Sequence, residues 1–214
     1  NGNYPTGLSM GTPSSTVKQA VKEVWGEALY AGGRLMDVFY FSISAGRTNE
    51  PQEVWGSSVA GYGSVDSPWD ENVSSAFQRS VSISKETVID RVWEYLGIDL
   101  SEVPVEDWFT VESYTSGGYN DEMTVGGYDT VQKSGSSAFR TSATITGRIL
   151  RENVLNLRSA CFTWEESGNH IVFTTKGYGH GVGLSQWGAK ALAEQGQSAE
   201  EILAHYFPGT ELRR

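Results

Sequence analysis

Apolar residues recur along this chain at two periods, and each period predicts an element. At helical spacing, Val17, Ala20, Val21 and Val24 follow Ser14 and Ser15, whose hydroxyls suit a helix start, so a short amphipathic helix is predicted there. Val88, Val92, Trp93 and Leu96 mark one side of a second helix over about residues 85–96, begun after Ser84 and stopped by Gly97. A shorter helix is read from Gly147 to Leu155. Ser198 with Glu201 three places on is a capping-box signature ahead of Ile202, Leu203 and Tyr206, and Pro208-Gly209 ends that helix. At the shorter period, EALYAGGRLMDVFYFSIS reads as two strands about Gly32-Gly33. After Trp108, SYTSGGYNDEMTV supplies another glycine-pair hairpin, and LRSACFTWEESGNHIVFTT gives two strands about Gly168-Asn169.

The remainder is irregular. Residues 1–15 read as a flexible N-terminal arm, and GGYDTVQKSGSSAFR as a surface segment. Residues 46–70 form a long loop of the kind that more often carries function than not. Strands in the middle with a few short flanking helices predict an α+β fold of mostly antiparallel hairpins, one compact domain over residues 16–214.

Composition narrows the function. A net charge of -10 repels phosphate backbones and anionic lipid surfaces, so nucleic acid is excluded as a partner. No apolar run is long enough to span a membrane, and no secretion signal is present. The chain opens on Asn1 rather than Met, which is read as the loss of a segment ahead of it. The single Cys161 has no partner for a disulfide, and His170, His180 and His205 show no metal-ligand spacing, so neither metal nor cofactor is expected.

The densest chemistry lies in GYGHGVGLSQWGAKA, from Gly177 to Ala191. If Gly177 to Leu184 is extended, its four glycines share one bare face, with Tyr178, His180, Val182 and Leu184 on the other. Glycine in a strand costs backbone entropy, so such a run implies close approach by another backbone or by a ligand. Ser185 then marks a helix start, whose free amides suit an acetamido oxygen or a carboxylate. The spacing fits neither a dinucleotide fingerprint nor a phosphate loop. A Ser185–His180 nucleophile lacks a nucleophile elbow, an acid partner and an oxyanion site. His180 reads either as a site residue or as a satisfied histidine at the rim of a core, and the glycines favour the site.

From Gly177 to Leu212 the sequence closely resembles the C-terminal signature of the stage II sporulation protein D family, related to bacterial amidase enhancers. AGRTNEPQEVW, SVDSPWD and the ITGR to LRSACF region also fit, so the resemblance spans most of the chain from about Val17. It implies a secreted or membrane-tethered protein acting on the bacterial cell wall, outside the cytoplasmic membrane. By the same resemblance the best-known members are lytic transglycosylases that cut peptide-free peptidoglycan glycan strands and leave 1,6-anhydro ends. Glycan strands are then the expected partner, with a cell-wall amidase or other sporulation proteins as further ones. A non-catalytic glycan-binding or amidase-enhancing module is the alternative.

On that reading the glycine face lets a sugar chain or the neighbouring loop lie close, Tyr178, His180, Ser185 and Gln186 offer contacts to the sugar, and Ser44, Arg47 and Thr48 form a second wall, the last three being otherwise a plain surface turn. Trp187 reads as core. The family's catalytic glutamate lies on an N-terminal helix reading roughly E-A-L-K-A-Q-A-V-A-A-R-T, which nothing in residues 1–214 matches. EALYAGGR at Glu27 is a chance echo, and the catalytic residue is expected upstream. Glu53, beside Val54-Trp55, is the fallback within the chain.

Overall fold

The computed structural model describes residues 14–133 and 142–214; the predicted arm over residues 1–15 lies almost wholly outside them. Helix α1 (Ser15–Glu23) is capped by Ser14, whose hydroxyl accepts from the Val17 amide at 3.3 Å. The hairpin of β1 (Ala28–Ala31) and β2 (Arg34–Leu35) turns on Gly32 and Gly33, with φ of 56° and 76°, positive at both central positions as a tight hairpin demands. The second strand predicted there is cut short, and β3 (Tyr40–Phe41) pairs elsewhere. The long loop contains two brief helices that the sequence does not announce, α2 (Pro51–Trp55) and α3 (Asp70–Val73).

Strand β4 (Gln78–Ser84) runs directly into α4 (Lys85–Leu96), capped by Ser84 and ended by Gly97 at φ 73°, as predicted. The hairpin strands β5 (Phe109–Val111) and β6 (Met123–Val125) follow. A single α-turn, α5 (Gly147–Ile149), passes into a π-helical turn over Leu150–Val154, then β7 (Phe162–Ser167) and β8 (His170–Lys176). The chain closes with β9 (Leu184–Ser185), α6 (Gln186–Glu194), α7 (Ala199–Tyr206) and β10 (Glu211–Arg213).

These elements form small sheets in the orders β10-β1-β2, β4-β8-β7 and β5-β6, all antiparallel, plus the parallel pair β3-β9. The result is the predicted α+β class. The larger core gathers Val88, Val92 and Leu96 of α4 over Ile171 and Phe173 of β8, all nearly inaccessible, with Phe109, Phe162 and Leu150. Trp93 is 56% exposed rather than buried, because it stands one residue, or about 100°, around the helix from the Val88–Val92–Leu96 stripe. A smaller core joins Leu29 and Ala31 to Leu192, Ile202, Tyr206 and Phe207.

Candidate functional site

The glycine run is not a strand with a bare face. Gly177, Gly179, Gly181 and Gly183 have φ of 75°, 122°, 81° and 79°, so the backbone leaves extended geometry at every second residue. The run is laid along residues 39–49: Tyr178 donates to the Ile43 carbonyl at 2.8 Å, Asn49 to that of Gly181 at 2.8 Å, and Leu184 to that of Phe39 at 3.2 Å. A Cβ at Gly177 would stand 2.8 Å from the Ile43 oxygen, at Gly179 2.7 Å from Phe41 Cβ, and at Gly181 2.6 Å from Asn49 Nδ2. At Gly183 it would collide with the Phe39 carbonyl oxygen. The close approach inferred from the glycines is real, but it is made by the chain's own backbone, and the expectation of a sugar-facing glycine edge is overturned.

What the wrap delivers is His180. Asn49, 2% exposed, ties the site together: its Nδ2 donates to the His180 carbonyl at 3.0 Å and its Oδ1 accepts from the Thr115 hydroxyl at 2.7 Å. The His180 ring lies 5.1 Å from Trp55 and 5.7 Å from Phe41, and its Nδ1 accepts from the Val182 amide at 3.0 Å, which leaves the hydrogen on Nε2. Burial, reinforced by the Arg151 charge, pushes its pKa down to about 4 against the opposing pull of the Tyr40 backbone. The imidazole is therefore neutral at neutral pH.

His180 lines a cavity of about 440 Å³, a size typical of small-ligand sites. Asn49, Thr115, Tyr119 and Asn120 contribute uncharged polar groups to it, and Glu53, Asp121, Arg148, Arg151 and Glu152 contribute charges. Glu53 is engaged on both oxygens, accepting from the Ser116 amide at 2.6 Å, the Ser116 hydroxyl at 2.8 Å and the Glu50 amide at 2.9 Å. Burial raises the Asp121 carboxyl above its ordinary range, with the Glu122 and Glu53 charges adding to it. On the facing segment the Leu155 amide donates to the Leu150 carbonyl at 2.8 Å, a π-type bond, and such turns concentrate at functional sites. Glu152 bridges two guanidiniums, Arg148 Nε at 3.2 Å and Arg151 Nη1 at 3.0 Å.

Of the residues named from sequence, His180 and the fallback Glu53 line this cavity; Tyr178, Ser185, Gln186, Ser44, Arg47 and Thr48 do not. Ser185 and Ser44 are fully buried in a polar knot around Asp70, which accepts from the Ser44 amide and the Ser67 hydroxyl, each at 2.7 Å, and from the Ser185 hydroxyl. The Ser185 hydroxyl also accepts from the Gly188 amide as the N-cap of α6. Buried Thr48 accepts from the Val65 amide, and Arg47 pairs with Asp66 at 2.5 Å, so both fasten the 61–70 loop. Gln186 is exposed at the start of α6, and Tyr178 is half-exposed beneath the Arg158 guanidinium. Sequence reasoning missed Asn49, Asn120, Asp121, Arg148 and Arg151. Three of them, Asn49, Arg148 and Arg151, lie inside AGRTNEPQEVW and the ITGR to LRSACF region, stretches that carry the family resemblance.

A scan against protein-family models finds no match for this chain. The chain is 32% identical over 196 residues to Stage II sporulation protein D of Bacillus amyloliquefaciens, covering 92% of this chain and 50% of the relative. The relatives support the stage II sporulation protein D family. The protein of that name from Bacillus subtilis (strain 168) is 29% identical over 206 residues, 96% of this chain and 53% of its own length. The amidase enhancer of Bacillus subtilis (strain 168) is 25% identical over 233 residues, 93% of this chain and 33% of its own length. The chain thus spans about half the length of the sporulation proteins it matches. Among the described residues no helix is long and apolar enough to cross a membrane.

Proposed function

We propose that this chain holds peptide-free peptidoglycan glycan strands in the His180 cavity, as the saccharide-binding part of a lytic transglycosylase acting outside the cytoplasmic membrane. The observation that carries the reading is the cavity's lining, where a neutral imidazole and the Thr115 and Asn120 side chains stand beside carboxyl groups. A polyhydroxylated sugar needs donors and acceptors that are already in place, and an enzyme that breaks a glycosidic bond needs a carboxyl group beside them. The names of the relatives, two sporulation proteins and one amidase enhancer, support a role at the cell wall.

In the proposed step an acid protonates the glycosidic oxygen, the sugar's own 6-hydroxyl attacks its anomeric carbon, and the bond to the leaving oxygen breaks. The hydroxyl's proton then passes to the carboxylate left behind, so one group serves as acid and base and no water is consumed. The reading assigns that role to a glutamate outside residues 1–214. Within the chain the competing candidate is Asp121, whose carboxyl is raised by burial as a general acid requires, rather than Glu53, whose two oxygens are occupied by Ser116 and Glu50.

The test incubates the 214-residue chain with peptide-free glycan strands, measuring binding by calorimetry and products by mass spectrometry. Binding without 1,6-anhydro ends is the expected result. Anhydro ends that disappear in Asp121→Asn would move the acid into this chain, and absence of binding would contradict the proposal. The amidase enhancer's match to 93% of the chain favours one second reading, a module that binds glycan and accelerates a partner amidase. An amidase rate that rises on adding the chain would select it.

A further inference from the structure

The cavity beside His180 has a neighbour. A second cavity, of about 430 Å³, is lined from both β5 and β7 by Val111, Tyr114, Asn120, Cys161, Phe162 and Trp164, and Asn120 lines the first cavity as well. Among the described residues Lys176 is the one charged side chain in its lining.

The register of the strands leaves main-chain groups open on its sides. In an antiparallel pair alternate residues turn both backbone groups to the partner strand, and the residues between them turn both away. The Lys176 amide donates to the Cys161 carbonyl at 2.9 Å, so Thr163 and Glu165 face β8, while Phe162 and Trp164 turn their N–H and C=O groups outward. The Glu112 amide donates to the Glu122 carbonyl at 2.9 Å, so by the same parity Val111 turns its groups away from β6. Both β5 and β7 are edge strands of their sheets. Asn120 Nδ2 donates to the Phe162 carbonyl at 2.9 Å, which puts Asn120, and the cavity it lines, on the outward side of β7. The N–H and C=O of Val111 and of Trp164 then have no protein partner among the described residues. Both residues are half-buried, where an unpaired main-chain group is costly unless water or a ligand meets it.

These open groups define a ligand. A secondary amide points its N–H and C=O in opposite directions, so one such group can bond an acceptor on one strand edge and a donor on the other. A peptide strand fits less well, because Asn120 already holds the Phe162 carbonyl and only one residue on each edge keeps both groups open within the lining. Tyr114, 64% exposed, offers a flat aromatic surface beside them, and the Trp164 ring is held by Phe109 and Phe162 at centroid distances of 5.7 and 6.1 Å. Amide-pairing groups next to aromatic faces, with little charge, suit an uncharged acetamido sugar.

We propose that this cavity is a second saccharide subsite that takes an N-acetylhexosamine, with its acetamido group between the main-chain edges at Val111 and Trp164 and its ring against Tyr114. The inference rests on the saccharide reading above and deepens it: Asn120, common to both linings, lets one glycan occupy the two cavities side by side.

Three probes test it on the isotope-labelled chain: chitotetraose; cellotetraose, which has hydroxyls in place of the acetamido groups; and tetra-alanine as a peptide. The readouts are backbone amide shifts and the alkylation rate of Cys161, the chain's single thiol, which lines the same cavity. Chitotetraose is expected to shift the Val111 and Trp164 amides saturably, in addition to those around His180, and to slow Cys161 alkylation, with cellotetraose binding about tenfold more weakly. Tyr114→Ala, at a side chain mostly in solvent, lowers chitotetraose affinity about threefold to tenfold and leaves the shifts around His180 in place. Chitotetraose shifts confined to the His180 cavity, with Cys161 alkylation unchanged, overturn the second subsite and leave the saccharide reading standing. An equal response to cellotetraose overturns the acetamido assignment, and a response at Val111 and Trp164 to tetra-alanine alone makes the cavity a peptide site instead. No binding of either saccharide overturns both readings.

Discussion

Two buried regions of this molecule are held by opposite means. Around α4 and β8, Val88, Val92, Leu96, Ile171 and Phe173 exclude water as a continuous apolar mass. Where residues 39–49 meet Gly177 to Gly183, burial is as deep, but beside Phe41, Ile43 and Val182 it takes in Ser44, Thr48, Asn49, Asp70 and Ser185. There the close fit comes from glycines without side chains and from polar groups paired across the chain, Ser44 with Ser185 and Asn49 with His180. Apolar packing tolerates modest change of shape, whereas a polar seam fails when one partner is missing. The cavity sits on the seam, so the part of the fold that carries chemistry is also the part with least slack.

The sharpest break of this comparison is Gly183→Ala. Its methyl group would collide with the Phe39 carbonyl at a φ of 79°, and strain plus overlap cost about 3–5 kcal/mol in a denaturant titration. Gly118→Ala is the control: φ is 77° but the space is open, so only the left-handed backbone penalty of about 1–2 kcal/mol applies. Equal losses would mean that the seam is no tighter than a surface turn. In the apolar region Leu96→Ala costs about 2–5 kcal/mol through lost burial and a residual cavity.

Asp70→Ala tests the polar knot, removing the carboxylate that accepts from the Ser44 amide and the Ser67 and Ser185 hydroxyls at a cost of about 1–3 kcal/mol. The pH dependence sharpens the point. Burial raises the Asp70 carboxyl, so above its ordinary range the folded state keeps a proton that the unfolded state has lost. Stability falls as pH rises through that window, and Asp70→Asn flattens the slope. His180 gives the opposite sign. With a folded pKa of about 4 against an ordinary 6.5, stability is lost as pH falls from 6.5 towards 4, because only the unfolded ring takes up a proton. His180→Gln abolishes that component, and stability curves measured by urea titration across pH distinguish the two slopes. The smallest effect is expected from Arg47→Ala, which opens a partly exposed pair with Asp66 and costs about 0.5 kcal/mol.

The same contrast explains what could be read in advance. Helix α4 was legible from Ser84 to Gly97 because a cap, an apolar stripe and a glycine stop all lie within one local stretch. The Gly168-Asn169 hairpin and the Ser198–Glu201 capping box are local in the same way. Alternation suggested a strand for Gly177 to Leu184, yet every glycine there is in the left-handed half of backbone space, because the run follows the contour of residues 39–49 rather than a sheet. The glycines signal a close approach, but nothing local says which segment makes it. Ser185 was singled out as a site hydroxyl although its role is to cap α6 and bind Asp70, residues apart in sequence but joined in the knot. Arg148 and Arg151 escaped notice because charged residues on a short helix usually face water, and it takes the π-turn and Glu152 to show them facing a cavity.

The most direct test of the central claim, that the cavity beside His180 receives a sugar, is a nuclear magnetic resonance titration of the isotope-labelled chain with peptide-free glycan oligosaccharide. The account predicts saturable shifts concentrated at Asn49, Asn120, residues 146–153 and His180, with Ser44 and Ser185 responding weakly because they are sealed in the Asp70 knot. Shifts confined to another surface, or none at saturating oligosaccharide, would contradict it.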